Sequence, residues 1–307
     1  MKSLSRHLQE QGASADLQKL FAVLAESVKD IAQILETGHM TGYSGTENIF
    51  GEQQLKLDVA ANDLLVERLR TFPLVRVIAS EELDDEIQCH PDGAYAVAYD
   101  PLDGSSLVDA NFSVGSIFAV YKSNTFIGRT PGEQLAAAIA LYGPRTTFIA
   151  SIGSGTHEYT FQNNDFFLTQ ENMKVAEEGN YFAPGNLRAC AKSAGYRNLV
   201  NFWLDRQYTL RYSGGMVPDV CHILKKGKGI FVYPGYSDAP NGKLRLLFEC
   251  GPMAFLMEQA YGMASDGHIS LLEKKIESIT HRTPVFIGSK KEVEHALRVM
   301  EFETGTV

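Results

Sequence analysis

An uncharged run, Ala94-Tyr95-Ala96-Val97-Ala98-Tyr99, passes without a spacer into Asp100-Pro101-Leu102-Asp103-Gly104-Ser105-Ser106. The run reads as a strand, so a chain that buries it must also bring two carboxylates to the edge of its core. Hard divalent cations take carboxylate oxygens, and magnesium usually keeps waters and a substrate phosphate as its other ligands. The backbone N–H groups of a Gly-Ser-Ser turn can form a concave anion site beside such a metal. Metal and phosphate seats this close together point to phosphoryl chemistry.

Two further segments end on acid. Val75-Arg76-Val77-Ile78-Ala79-Ser80 reads as a buried strand running into Glu81-Glu82, and Leu244-Arg245-Leu246-Leu247-Phe248 as a third strand running into Glu249. Open α/β sheets gather ligands at the carboxyl ends of their strands. Three acid-tipped strands that converge there need cations between them, because buried carboxylates repel one another.

The remaining composition narrows the partners. A net charge of -9 over 307 residues argues against nucleic acid. It is compatible with an anionic sugar phosphate, since bound cations reverse the local field. No apolar run approaches a membrane span, and Met1-Lys2-Ser3-Leu4-Ser5-Arg6 lacks the apolar core of a secretory signal. The four cysteines, Cys89, Cys190, Cys221 and Cys250, form no Cys-x-x-Cys pair, which fits a reducing compartment and small buried side chains. The cytoplasm is the expected location. His157 and His268 stand in no recognisable ligand spacing and read as structural.

Along the chain, Leu17, Leu20, Phe21, Leu24, Val28, Ile31 and Ile34 keep a helical period. A Gly/Ser/Thr-rich loop spans 39–51, and a second helix is predicted over 53–71, with Asp58 near its start. The segment 115–121 reads as a strand and the Ala-rich 132–141 as a helix. An antiparallel meander is predicted over 146–151, 156–162 and 165–170, punctuated by Gly153-Ser154-Gly155 and Asn163-Asn164. Beyond a polar boundary at 171–180, helices are predicted near 218–224, 252–261 and 291–302, and strands near 229–233 and 284–287. The pattern predicts layered sheets and helices in two halves, 1–172 and 173–307.

The motifs Ser-Glu-Glu at 80–82, Asp-Pro-Leu-Asp-Gly-Ser-Ser at 100–106 and Lys-Leu-Arg-Leu-Leu-Phe-Glu at 243–249 together resemble class I fructose-1,6-bisphosphatases, over roughly 17–289. Several segments look closer to the sedoheptulose-1,7-bisphosphatase branch. These are 141–147, Gly155-Thr156-His157-Glu158, 182–189, 208–220 (with Gly214-Gly215) and Ser265-Asp266-Gly267-His268. The resemblance implies an α+β, layered αβαβα sugar-phosphatase fold, with two sheets and helices between and outside them. It implies magnesium-dependent hydrolysis of the 1-phosphate of sedoheptulose 1,7-bisphosphate, with fructose 1,6-bisphosphate as the alternative substrate. The Calvin cycle, a pentose-phosphate shunt and gluconeogenesis are all compatible settings.

By the same resemblance, Glu81, Asp100, Asp103, Glu249 and the Leu102 carbonyl would bind two magnesium ions, with manganese able to substitute. Glu52 would reach a third, although the family usually has Asp there. Asp58 and Glu82 are the expected general base or base relay for the attacking water. Gly104, Ser105 and Ser106 would hold the 1-phosphate. Arg211, Tyr212, Tyr233 and Lys243 match substrate positions, with Arg211 reaching a neighbouring subunit's site in a homodimer or homotetramer. Asp238 falls where fructose bisphosphatases often have a lysine, and Arg188 is a candidate to replace that charge. Ala94-Tyr95 and Gln18 depart from the AMP-binding pattern of animal fructose bisphosphatases, so strong AMP inhibition is not expected. No cysteine precedes Cys89, so the N-terminal thiol switch of plant sedoheptulose bisphosphatases is not expected either.

Each motif alone has a plainer reading. Glu81-Glu82 could be a solvated strand end, and 100–106 a proline-set turn. Arg211 and Lys243 could form surface ion pairs, and Asp58 could favour its helix through the macrodipole. An inositol-monophosphatase-like enzyme and a non-catalytic sugar-phosphate sensor are the competing functions. The distal cationic and tyrosine set argues against the first, and the intact acid set against the second.

Overall fold

The computed structural model describes residues 1–37, 43–47 and 53–301. The first part of the chain forms α1 (Leu4–Glu10), α2 (Ala15–Thr37), β1 (Tyr43–Glu47), β2 (Gln53–Leu55) and α3 (Lys56–Thr71). It continues through β3 (Val75–Ser80), β4 (Ile87–Gln88), β5 (Tyr95–Asp103), β6 (Val114–Tyr121) and β7 (Ala136–Tyr142). The meander follows as β8 (Thr147–Ser151), β9 (Thr156–Gln162) and β10 (Asp165–Met173). The second part contains β11 (Tyr181–Pro184), α4 (Ala194–Asp205), β12 (Thr209–Leu210), α5 (Met216–Lys226), β13 (Ile230–Tyr233), α6 (Gly251–Gln259), β14 (Met263–Ser265), β15 (Val285–Gly288) and α7 (Lys290–Glu301).

An eight-stranded sheet has the order β10-β9-β8-β7-β6-β5-β3-β4, and a five-stranded sheet the order β12-β11-β13-β15-β14. In the larger sheet only β3 and β5 run parallel; the other neighbours are antiparallel. All residues of β5 and β6 are buried. Both faces of a central strand are covered, so its sequence reads as a continuous apolar run rather than an alternation.

Side-chain direction sorts the layers. Val97, Tyr99, Phe118 and Phe148 pack with Leu20, Leu24 and Val28 of α2 and Leu65 of α3. Their neighbours Ala96, Ala98, Ile117 and Ile139 face the other way, onto Val217 and Val220 of α5 and Met253 and Leu256 of α6, with Phe231 and Ile287 of the second sheet in the same core. The far face of that sheet, with Phe182, Ile230, Val232 and Phe286, packs on Tyr196, Leu199 and Trp203 of α4 and Val293 and Ala296 of α7. The stack is therefore helix, sheet, helix, sheet, helix, as the resemblance implied.

Several expectations about elements are corrected. The Ala-rich stretch predicted as a helix is β7, paired to β6 and β8. Its alanines face both helical layers, Ala137 toward α5 and α6 and Ala136, Ala138 and Ala140 toward α2 and α3. Packing between two layers here outweighs the helix propensity of alanine. The second helix begins at Lys56, because Gln53–Leu55 pairs with Tyr43–Glu47. The short elements α1, β11, β12 and β14 are additional to those predicted, and so is the twelve-residue α4, whose Tyr196, Leu199 and Trp203 keep a helical spacing.

Candidate active site

The parallel pairing of β3 and β5 sets Ser80 opposite Tyr99, so Glu81 and Asp100 leave the sheet side by side. The Glu81 N–H donates to the Tyr99 carbonyl at 3.1 Å. Between Asp100 and Asp103 the ladder to β6 is irregular. The Leu102 N–H turns back to Asp100 Oδ1 at 2.9 Å, and the Ser116 hydroxyl donates to the Pro101 carbonyl at 2.7 Å. Asp103 is held from the second half of the chain. Its Oδ2 accepts the Val217 N–H at 2.7 Å. The N-cap of α5 is Gly215, which has no side chain to offer, so Asp103 serves that helix start from outside.

Glu249 arrives differently from its prediction. Leu246–Cys250 is a π-helical turn leading into α6, not a strand. Glu249 Oε2 accepts the Arg245 N–H at 2.6 Å, which ties the carboxylate to the turn that carries it.

Asp100, Asp103 and Glu249 are buried, and each offers an oxygen within 4.8 Å of the others. Burial first, and then the charge of Glu249, push the Asp103 carboxyl up to about 7. Burial, followed by the charge of Glu81, pushes Glu249 up to about 7 as well. Asp100 lies well above the usual carboxylate range through burial and through Glu81 and Asp103. Arg245, itself 4% exposed, sets Nη1 2.5 Å from Glu81 Oε1 and 3.8 Å from Glu249 Oε2. One guanidinium among four carboxylates leaves a negative excess. All-oxygen donors in this charge state fit a hard divalent cation.

These groups open onto a cavity of about 570 Å³. Asp58, Glu81, Glu82, Asp100, Leu102, Asp103 and Glu249 line it with Gly104, Ser105, Ser106, Tyr212, Tyr233 and Lys243. Asp58 stands in the first turn of α3 and is buried. Gly104 has φ +80°, a left-handed conformation that glycine adopts without strain, and it turns the chain into the 3₁₀ turn Ser105–Ala110. Thirteen of the fifteen residues singled out in the sequence thus share one wall system.

The other two do not. Glu52 lies outside the described residues. Arg211 lines an adjoining cavity instead, where its Nε donates to His222 Nε2 at 3.1 Å and its guanidinium lies 5.1 Å from the Tyr181 ring centre. Arg245, Asp219 and Gly185 line the main cavity and were not singled out. For Arg245 the signal was present: it lies inside the 243–249 motif, two residues beyond Lys243. Cys221 and Cys250 are buried as expected, but Cys89 and Cys190 are only half-buried. His157 is buried, with Nδ1 accepting the Asn172 N–H at 3.1 Å, which agrees with a structural reading. Asp238 faces Lys192 at 3.4 Å on the surface.

Comparison with known proteins agrees with this geometry. Residues 3–171 match the fructose-1-6-bisphosphatase N-terminal domain, and residues 175–301 match the C-terminal domain. The class 1 fructose-1,6-bisphosphatase of Citrifermentans bemidjiense is 45% identical over 297 residues, covering 95% of this chain and 90% of that protein. The chloroplastic sedoheptulose-1,7-bisphosphatase of Triticum aestivum is 41% identical over 295 residues, covering 95% of this chain and 75% of the wheat protein. Among solved structures, the Leishmania major fructose-1,6-bisphosphatase in holo form superposes with a TM-score of 0.91 at 30% identity, covering 97% of this chain and 98% of that one. A Toxoplasma gondii protein described as a candidate sedoheptulose-1,7 bisphosphatase gives 0.92 at 33% identity, covering 98% and 99%. The chain belongs to the fructose-1,6-bisphosphatase family and is a sugar-bisphosphate phosphatase.

Proposed function

We propose that this family member hydrolyses the 1-phosphate ester of a ketose bisphosphate, with fructose 1,6-bisphosphate as principal substrate and sedoheptulose 1,7-bisphosphate as second. One observation carries the reading: the buried Asp100, Asp103 and Glu249 oxygens share a cavity with the Gly104-Ser105-Ser106 turn. The seven-carbon preference expected from the sequence gives way to the six-carbon one. The relatives that cover nine-tenths or more of their own length are class 1 fructose-1,6-bisphosphatases, at 41–45% identity. The wheat sedoheptulose enzyme, at 41%, supports the second substrate.

Magnesium, with manganese as substitute, would be held by Glu81, Asp100, Asp103, Glu249 and the Leu102 carbonyl, and would supply charge neutralisation and water activation when bound. The backbone N–H groups and hydroxyls of Gly104, Ser105 and Ser106 hold the ester phosphate and receive charge as it develops. Asp58 or Glu82 takes the proton of the attacking water. Water oxygen bonds to phosphorus as the ester P–O bond breaks, and the sugar oxygen leaves as the alcohol by taking up a proton from solvent. No enzyme nucleophile is required, so no phosphoenzyme forms. Lys243, Tyr212 and Tyr233 enter from the second sheet's side and orient the sugar and distal phosphate. Arg211, facing the adjoining cavity, suits a homodimer or homotetramer in which it serves a neighbouring subunit.

The test is phosphate release from each bisphosphate, with and without magnesium, compared as kcat/KM. The six-carbon substrate should give the higher ratio, and chelation should abolish both. A higher ratio for the seven-carbon substrate reverses the order of preference, and no release from either removes the hydrolase reading.

A further inference from the structure

Asp219 is 3% exposed and stands in the first turn of α5. Its Oδ1 accepts the Ser213 N–H at 2.8 Å, while Oδ2 meets no hydrogen-bond partner among the described residues. Burial pushes this carboxyl up to about 6, against the opposing bonds from Ser213 and Gly214. A half-satisfied buried carboxylate costs stability, and an apolar side chain would fill the same space without that cost. Asp219 lines both the main cavity and the adjoining one, so it stands between them.

The segment it holds forms the second wall of the phosphate turn. The Ser213 hydroxyl accepts the Gly215 N–H at 3.2 Å. A Cβ on Gly214 would lie 3.3 Å from the Leu107 side chain, and one on Gly104 would lie 3.4 Å from the Gly215 Cα. The two turns, 104–107 and 213–215, therefore pack directly on each other. Two residues on, the Val217 N–H reaches Asp103.

We propose that Asp219 is a positioning residue: by accepting the Ser213 N–H it clamps segment 213–217 against the 104–107 turn and fixes the phosphate donors relative to Asp103. The inference rests on the hydrolase reading above for its consequence in turnover, but not for its consequence in anion binding. The clamp needs an acceptor at Oδ1 and no charge. Asparagine therefore preserves it and alanine removes it.

Three variants, Asp219→Asn, Asp219→Ala and Asp219→Leu, are compared with the parent protein. Binding of inorganic phosphate in magnesium is read by calorimetry, and KM and kcat on fructose 1,6-bisphosphate by phosphate release. Asp219→Ala should weaken phosphate binding and raise KM by about tenfold or more, the range for groups that orient site residues. Asp219→Asn should stay within about threefold of the parent in both, and Asp219→Leu, which has no acceptor, should move in the same direction as Asp219→Ala. Parent-like phosphate binding in Asp219→Ala overturns the proposal, as does equal damage in Asp219→Asn. If Asp219→Ala does not fold, Asp219→Leu, which fills the space but offers no acceptor, decides: parent-like binding there is also an overturning result. If the parent hydrolyses neither bisphosphate yet phosphate binding follows the expected order, the hydrolase reading falls and the positioning role stands.

Discussion

Asp103 does two things at once: its Oδ2 accepts the Val217 N–H, and its carboxylate belongs to the acidic cluster with Asp100 and Glu249. Asp103→Asn keeps an acceptor for Val217 and removes one negative charge from the cluster. Activity should fall by more than about a hundredfold, beyond the loss seen for groups that only orient a metal ligand. Thermal unfolding without metal should show an equal or higher midpoint, because a repulsive carboxylate has gone. A large drop in that midpoint would assign Asp103 to structure alone. Arg245 predicts the opposite balance. Arg245→Met leaves Glu81 and Glu249 without the cation beside them. The metal-free protein should lose about 3–5 kcal/mol in denaturant titrations, and the magnesium-loaded protein clearly less. The carboxylates were legible in the sequence because Asp100 and Asp103 are near neighbours and Glu81-Glu82 stand together. Arg245 stood inside the 243–249 motif, but its role was not legible, because nothing local says that its side chain turns inward to Glu81. Asp219 was hidden for the same reason: its partner, Ser213, is recognisable only once α5 has a defined start.

At the scale of elements, α5 touches the large sheet where β6 carries Gly115. A Cβ there would sit 2.3 Å from Val217 Cγ1 and 2.4 Å from the Ala140 carbonyl oxygen. Gly115→Ala must push α5 outward, and with it the Val217 N–H that holds Asp103. Urea titration should show a loss of about 1–3 kcal/mol, typical of overpacking, together with reduced activity at saturating magnesium. Unchanged activity alongside reduced stability would uncouple α5 from the site. Strands β3, β5 and β6 and the meander were readable from apolar runs and turn residues. Alanines of β7 were misread as helical because their periodicity is silent when both faces are buried. Glu249 was placed on a strand because Leu-Leu-Phe is equally apolar in a strand and in a buried helical turn, a known ambiguity of short apolar runs.

Across the whole molecule, five layers share their middle helices, so the core that carries the cavity draws on both sheets. Its acidity gives the metal-free protein a defined pH response. Asp103 and Glu249 sit at about 7 in the fold, above their ordinary 3.8 and 4.5. Raised folded-state values mean that the neutral carboxyls favour the fold. That contribution is complete below about pH 4 and is lost as pH rises through about 7. With chelator present, the unfolding midpoint should therefore fall between about pH 5 and pH 7.5. Magnesium should restore it near pH 7.5 and do little near pH 5, where the ligands hold protons. A midpoint that rises over that interval would contradict the assignment. Among the described residues no helix is long and apolar enough to cross a membrane.

Arg245 against Glu81 bears on the order of events in a living cell. A newly made polypeptide whose acids had only Mg²⁺ to offset them would depend on the ion to collapse, as small zinc modules do. Here a built-in counterion and a large apolar interior would let folding finish before any cation binds. Loading with a divalent cation would then be a late, reversible event, one that fluctuations in the free ion could govern without unmaking the protein.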